Sequence, residues 1–170
     1  MTDLHTLAET ERAMQSRVSE LELDFEAAHA VSSIYRAANA VRGYVTAEVL
    51  RPVDISWTGF VVMWVVWIAD GLETRRAAES ASISKATLTG VVKTLQARGW
   101  MEKMGREDDR RLVELHLTPA GRALMQDLYP KFNAIESQVV RNLSTKRQQT
   151  MTRSLREIVT SIESTGRDHD

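Results

Sequence analysis

The chain has 170 residues, of which 43% are hydrophobic and 26% charged, so a folded protein with one substantial domain is expected rather than a disordered segment. It contains no cysteine, which excludes a disulfide framework, a thiolate zinc site and a cysteine-based redox switch. The net charge of −1 argues against a protein that coats polyanions without selectivity.

The cations are distributed unevenly along the chain. Residues 1–50 carry four arginines and eight acids, whereas residues 85–111 carry seven cations and four acids, a net charge of +3. A local basic face on a nearly neutral protein favours a sequence-specific nucleic-acid binder. Ordinary solvated charges would give the same count, so charge alone leaves both interpretations open.

Two helices are predicted before residue 50. Apolar side chains recur at near-heptad spacing from Leu7 to Tyr35, which is typical of helices with a coiled-coil-like stripe. We expect a short helix near residues 4–18 and a long one near residues 21–49. Pro52 should close this region, because proline inside a helix removes a backbone hydrogen bond.

The next predicted helix runs from Trp57 to about Ala69, with Ser56 as its N-cap and Gly71 after its end. It is apolar nearly all round, so it should be buried on most sides. At this length it is too short to span a bilayer, which takes about 20 residues. The N-terminus shows no basic segment followed by an apolar core, so no secretion signal is predicted. We therefore expect a cytoplasmic protein without a membrane partner.

Two further helices are predicted before the first strand. Leu72 to Ser80 should form a short helix, followed by a turn. Ser84 is the predicted N-cap of the next helix, near residues 85–98, and Gly99 should supply the left-handed residue after it.

A charged hairpin and two helices complete the chain. Trp100 to Met104 and Leu112 to Leu117 read as strands, the second with alternating apolar and polar side chains. Thr118 followed by proline is a strong helix start, and that helix should extend to about Asn142. A last helix should follow the cap Ser144 and run to about residue 164.

The middle third of the chain indicates the kind of partner that it binds. A helix with small hydroxylic side chains can enter a DNA major groove, and a hairpin tipped with arginines can reach the minor groove or the backbone. Together they predict a winged helix-turn-helix. The candidate DNA-binding residues of its recognition helix are Ser84, Lys85, Thr87, Thr89, Lys93 and Thr94. The helix dipole favours phosphate at the N-terminal end of this set, although Ser84 is also explained as an N-cap.

Three segments in this order and spacing resemble the MarR (multiple antibiotic resistance regulator) family: residues 95–103, Asp108-Asp109-Arg110-Arg111, and Leu117-Thr118-Pro119-Ala120-Gly121. The resemblance covers roughly residues 21–165. It implies a mainly α fold, a winged helix-turn-helix with a two-stranded β-wing and N- and C-terminal dimerisation helices. The sequence departs from the family at Ala77, where leucine is usual, and at Trp100, where a small aliphatic residue is usual.

The resemblance also implies an organisation of the chain and a set of partners. The expected segments are residues 1–20 as an additional N-terminal helix, 21–50 as a dimerisation helix, 51–118 as the winged helix-turn-helix DNA-binding region, 119–165 as the C-terminal dimerisation helices and 166–170 as a flexible tail. The expected partners are double-stranded operator DNA and a second copy of the chain. Dimer contacts are expected from apolar stripes that include Phe25, Phe132, Leu155, Ile158 and Ile162, which would otherwise be intrachain core.

On the wing, the resemblance implies that Asp109 braces Arg111 while Arg106 or Arg110 enters the minor groove. Fixing a guanidinium with a carboxylate lowers the entropy lost on binding DNA. Alternatively, the acids simply neutralise neighbouring arginines on a solvated turn.

Members of the family bind small aromatic ligands, often phenols or carboxylates, which here implies a small aromatic effector. Most of the aromatic residues in question are also explained as core, and a pocket needs polar groups beside apolar walls. The candidate ligand-binding residues are His29, Tyr35, Arg36, Trp57, Phe60, Trp64 and Trp67.

Other classes of function fit less well. The histidines are scattered without metal-ligand spacing, and no phosphate loop, nucleophile elbow or dinucleotide fingerprint is present, so neither an enzyme nor a cofactor is expected. A winged helix that binds another protein, as an adaptor or anti-activator, remains the alternative. Salt distinguishes the two, because DNA binding weakens steeply as salt rises.

Overall fold

The computed structural model describes residues 7–18, 21–105 and 113–167. These residues are mostly helical, and the strands form one small sheet. The helices are α1 (Leu7–Arg17), α2 (Phe25–Val45), α3 (Trp57–Ala69), α4 (Thr74–Ser80), α5 (Lys85–Ala97), α6 (Pro119–Val140) and α7 (Thr145–Arg167). The strands are β1 (Leu72–Glu73), β2 (Met101–Gly105) and β3 (Val113–Leu117). The chain divides into two compact units, residues 1–44 and 45–170.

The first unit contains α1 and most of α2. The second helix begins at Phe25 rather than near residue 21, because the carboxylate of Asp24 caps it by accepting a hydrogen bond from the Ala27 amide at 2.9 Å. Within this unit, Arg36 Nη2 donates to Thr10 Oγ1 at 2.9 Å and so joins the two helices.

Helical backbone continues beyond α2 into the second unit. A π-helical turn covers Thr46–Leu50, and a 3-10 turn covers Arg51–Val53. Pro52 is accommodated in the first positions of the 3-10 turn, where a missing amide hydrogen costs little. Asp54 then adopts a left-handed conformation, with φ of 54°, and ends the helical path.

Helix α3 is the centre of the second unit and packs against α4, α5, α6 and β3. Phe60, Val62 and Met63 are buried, as predicted for this helix. One face is not. Trp64 is 37% exposed and Ile68 is 64% exposed, so the expectation of burial on most sides fails on this face. A helix that is apolar all round carries no periodic signal to show which side is left uncovered.

The prediction of a single helix over Leu72–Ser80 is wrong at its start. Leu72 and Glu73 form β1 instead, which pairs antiparallel with β3 through Leu72 and Leu115. The sheet therefore has three strands in the order β1-β3-β2, with the β2–β3 pairing running from Met101 opposite Leu117 to Gly105 opposite Val113. Two residues are too few to show the alternation that identifies a strand.

Four predicted N-caps are confirmed. The hydroxyl groups of Ser56, Ser84 and Thr118 each accept a hydrogen bond from the backbone amide three residues later, at 3.0–3.1 Å, and Ser144 accepts from the Arg147 amide at 3.4 Å. Gly99 has φ of 70°, as expected after the end of α5. Among the described residues, no single helix combines the length and the apolar composition needed to cross a bilayer.

Candidate nucleic-acid interface and aromatic cavity

The candidate recognition helix α5 is anchored by three side chains. Leu88, Val92 and Leu95 are 1–3% exposed, and they lie on one face of the helix. The DNA-contacting side chains predicted on this helix all lie outside this face and are exposed to solvent: Ser84, Lys85, Thr87, Thr89, Lys93 and Thr94. The burial pattern is thus the one a groove-binding helix requires.

Two hydroxyl groups of this surface are already engaged as donors to the backbone of their own helix. Thr89 Oγ1 donates to the Lys85 carbonyl at 2.9 Å, and Thr94 Oγ1 donates to the Gly90 carbonyl at 3.2 Å. Each such hydroxyl keeps its lone pairs as acceptors. In a major groove those lone pairs match the amino groups of adenine and cytosine.

Gly90 stands at the middle of the exposed face, opposite the buried Leu88 and Val92. A Cβ atom added there would meet nothing within 4 Å. Gly90 is not among the DNA-binding residues predicted from the sequence. Ala86, one turn earlier on the same helix, is also small. A surface without side-chain bulk lets the helix backbone approach a groove closely.

A groove of about 390 Å³ flanks the helix on one side. Its cations come from three different elements: Arg75 of α4, Lys85 of α5 and Lys103 of β2. Arg75 also pairs with Glu79 at 3.5 Å, and both side chains are well exposed. Arg75 is not among the residues predicted from the sequence, because it lies on α4, outside the basic stretch 85–111.

Arg98 fixes the C-terminal end of α5. Its guanidinium donates to the carbonyl oxygens of Val53 at 3.3 Å and Asp54 at 2.7 Å, and it pairs with the Asp54 carboxylate. It also lies over the ring of Trp100, 4.8 Å from the centroid. These contacts hold the recognition helix against the loop before α3, and they give Trp100, an unusual residue for the family at this position, a structural partner.

The base of the hairpin, formed by Gly99, Trp100, Thr118 and Gly121, is closed by main-chain contacts. Thr118 donates through Oγ1 to the Gly99 carbonyl at 2.6 Å and through its amide to the Trp100 carbonyl at 3.2 Å. A Cβ atom at Gly121 would overlap the Trp100 carbonyl oxygen and lie 2.9 Å from its carbon. The Thr-x-x-Gly motif therefore serves to dock α6 on the hairpin.

The tip of the hairpin lies outside the described residues. Arg106, Asp109, Arg110 and Arg111 all fall there, so their predicted roles stay predictions. The strands that lead to the tip are described up to the pair Gly105 and Val113.

A cavity of about 220 Å³ lies between α3 and α6. Three of the predicted ligand-binding residues, Trp57, Phe60 and Trp64, line it together with Val61. The side from α6 consists of Tyr129, Phe132 and Glu136. The rings of Phe60 and Phe132 are stacked with centroids 4.7 Å apart, and Trp57 lies 6.1 Å from Phe132.

The other predicted ligand residues are placed elsewhere. Trp67 contacts Tyr129 edge-on at 5.7 Å but does not line the cavity. His29, Tyr35 and Arg36 belong to α2 in the first unit, so their roles stay predictions. Phe132, which was assigned to a dimer contact, packs against Phe60 of the same chain.

Metal ligation finds no support in the part of the chain that the structure describes, where no group of three His, Asp or Glu side chains could hold an ion. His116 is 3.1 Å from the Glu114 carboxylate and packs against Gly71, where a Cβ atom would lie 2.7 Å from the ring Nδ1. Its environment is that of a structural histidine.

Comparison with known proteins gives a consistent result. The model of the MarR family matches residues 55–113. The HTH-type transcriptional regulator YwaE of Bacillus subtilis is 33% identical over 143 residues, which cover 84% of each chain. A variant of MarR from E. coli, solved in complex with operator DNA, is similar with a TM-score of 0.69 and 20% identity, over 75% of this chain and 91% of that one.

A second solved structure adds a ligand-regulated relative. BpsR of Bordetella bronchiseptica, whose DNA binding is regulated by 6-hydroxynicotinic acid, has a TM-score of 0.69 and 22% identity, over 76% of this chain and 98% of that one. These structural matches confirm the predicted winged helix-turn-helix fold. The relatives are transcriptional regulators and not enzymes, in agreement with the exclusion of catalysis from the sequence.

Proposed function

The chain belongs to the MarR family of DNA-binding transcriptional regulators, and on that basis we propose that it is a repressor that binds a pseudo-palindromic operator as a homodimer. The observation that carries the proposal is the exposed face of α5. It presents hydroxyls and lysines around the open position of Gly90, while Leu88, Val92 and Leu95 hold the helix in place. Two such helices in a dimer would enter major grooves about one helical turn apart.

Contacts to DNA divide into two kinds. Thr87, Thr89 and Thr94 would address base edges, since their side chains are exposed and their hydroxyls can accept hydrogen bonds from base amino groups. Lys85 and Lys93 would neutralise phosphates, assisted by Arg75 and Lys103 from the flanking groove, whose cations lie on separate elements. Arg106, Arg110 and Arg111, with Asp109 as a brace, are proposed for the wing on the strength of the family resemblance.

The exposed apolar stripe of α7 supports dimerisation. Leu155, Ile158 and Ile162 are 39–68% exposed, and they recur at helical spacing on a helix whose opposite side is polar. A contiguous apolar stripe of this kind is typical of a surface that another surface covers. We propose that a second copy of the chain does so, as the heptad-like spacing favours.

An effector would bind in the cavity between α3 and α6, which is lined by Trp57, Phe60 and Trp64. Regulation of BpsR by 6-hydroxynicotinic acid supports a small aromatic effector for a protein of this fold. By linkage, an effector that releases DNA must bind the free protein more tightly than the DNA-bound protein. A regulator of this kind would act in the cytoplasm.

The test is binding of the purified protein to the DNA immediately upstream of its own gene, titrated with salt and compared with an unrelated duplex of equal length. Saturable, preferential binding that weakens steeply with salt supports the proposal. Lys85→Gln should weaken it, whereas Lys131→Gln, a cation of α6 paired with Asp127 at 2.7 Å, should not. Binding that shows no preference for any genomic sequence and no salt dependence would favour the protein-interaction alternative.

A further inference from the structure

The aromatic cavity carries a negative charge, which is not what the carboxylate and phenol ligands of the family would suggest. Its walls are the rings of Trp57, Phe60, Trp64, Tyr129 and Phe132, together with Val61. Among the described residues that line it, Glu136 alone carries a charge, and that charge is negative. The faces of aromatic rings also carry negative electrostatic potential.

Glu136 is not neutralised by a neighbouring cation on its own helix. The described ion pairs of α6 join Arg122 to Asp70 and Lys131 to Asp127, and neither involves Glu136. Its Oε2 atom instead accepts a hydrogen bond from the neutral amide of Asn133 at 3.0 Å. The carboxylate therefore keeps its charge available to a ligand.

The ring contacts locate this carboxylate within the cavity. Trp67 meets Tyr129 and Trp57 meets Phe132, so the two helices run in opposite directions along the cavity. Glu136 lies one turn beyond Phe132 on α6 and is thus at the Trp57 end. The indole of Trp57 and the carboxylate of Glu136 both line the cavity at that end.

We propose that the effector of this protein is a small organic cation with one aromatic ring, such as a quaternary or tertiary ammonium compound. This inference rests on the proposed effector site and assigns its ligand class. A cation is attracted both by the ring faces and by Glu136, whereas a carboxylate is repelled by both. The cavity, at about 220 Å³, is smaller than a drug-sized site and suits a single ring with a compact head group.

The experiment uses two benzyl ligands of nearly equal shape, one cationic and one neutral, and a smaller benzyl ligand that is an anion. Benzyltrimethylammonium is the cation, neopentylbenzene is its neutral isostere, and phenylacetate is the anion. Binding to the full-length protein is followed by tryptophan fluorescence at constant ionic strength, since Trp57 and Trp64 line the cavity. We expect benzyltrimethylammonium to bind about fivefold or more tightly than neopentylbenzene, and phenylacetate to bind most weakly.

Two matched variants locate the source of the preference. Glu136→Gln should remove most of the cation's advantage while leaving neopentylbenzene unaffected, because glutamine keeps an oxygen that can accept from Asn133. Asp127→Asn removes a carboxylate from the same helix outside the cavity and should change nothing. Both substitutions are at exposed helical positions, so folding should be preserved.

Each other outcome overturns the inference. Equal affinity for the cation and its isostere, an equal loss in both variants, or strongest binding of phenylacetate would refute a cation site. Strongest binding of phenylacetate, with loss of that binding in Trp64→Ala, would leave the effector site itself in place. Absence of binding by all three ligands would refute the effector site as well, while operator binding, measured separately, would be unaffected.

Discussion

Replacing Gly121 with alanine should destabilise the protein, because the added Cβ atom would overlap the Trp100 carbonyl oxygen and lie 2.9 Å from the carbonyl carbon and 3.2 Å from Cα. These are backbone atoms at the base of the hairpin, so no flexible side chain can turn away. Overpacking of this kind costs about 1–3 kcal/mol, and a weakened Thr118 cap adds about 1 kcal/mol. Alanine in a helix recovers about 0.5–1 kcal/mol relative to glycine, which leaves a net loss of roughly 2 kcal/mol.

The matched control is Gly90→Ala, the same substitution in α5, where the new atom meets nothing within 4 Å. There the helical preference of alanine acts alone, so the free energy of unfolding should rise by about 0.5–1 kcal/mol. Both are measured by urea denaturation followed by circular dichroism, at one protein concentration because dimerisation would contribute to stability. A Gly121→Ala variant as stable as the wild type, or a destabilised Gly90→Ala, would refute the packing argument.

Four further substitutions test the interface and its support. Gly90→Leu should raise the thermal midpoint slightly, because leucine also favours the helix over glycine, but it should displace α5 from the groove. Operator affinity measured by mobility shift should then fall by about 1–3 kcal/mol, the worth of one good base contact, and retained affinity would exclude this face. Lys93→Gln should reduce the slope of log K against log salt concentration by about one, and an unchanged slope would show that Lys93 meets no phosphate. Arg98→Ala should lower the free energy of unfolding by about 1–3 kcal/mol through lost hydrogen bonds to Val53 and Asp54. Asp54→Asn should cost less than about 1 kcal/mol in the same denaturation assay, because that carboxylate is largely exposed, and an equal cost would assign the effect to the ion pair.

The sequence correctly predicted the starts of those helices that are set by a single capping hydroxyl group. Ser56, Ser84 and Thr118 each have a hydroxyl three residues before the amide that it accepts from, and each helix begins where that pattern indicates. The start of α2 was placed too early, because the cap there, Asp24, was not recognised. Strand β1 was missed because its identity comes from pairing with β3, a contact distant in sequence.

The candidate site was predictable only in part. The hydroxylic and basic residues of α5 stand out in the sequence. The position of Gly90 at the middle of the exposed face follows only from the burial of the opposite face, which the packing shows. Arg75 and Glu136 are ordinary charged residues on helical surfaces, and such charges are usually solvated. Their neighbours in space, Lys85 for the first and Trp57 for the second, come from other elements of the fold.

The contacts that close the base of the hairpin matter for how the DNA specificity of such a regulator could change. Thr118 and Gly121 hold the two strands together at Gly99 and Trp100, through main-chain atoms and one hydroxyl, at the end of the hairpin away from residues 106–112. Among the described residues, these contacts that dock α6 are made at the opposite end of the hairpin from the segment 106–112. We therefore expect that the tip of a relative can be grafted onto Gly105 and Val113 with the contacts of Thr118 and Gly121 preserved.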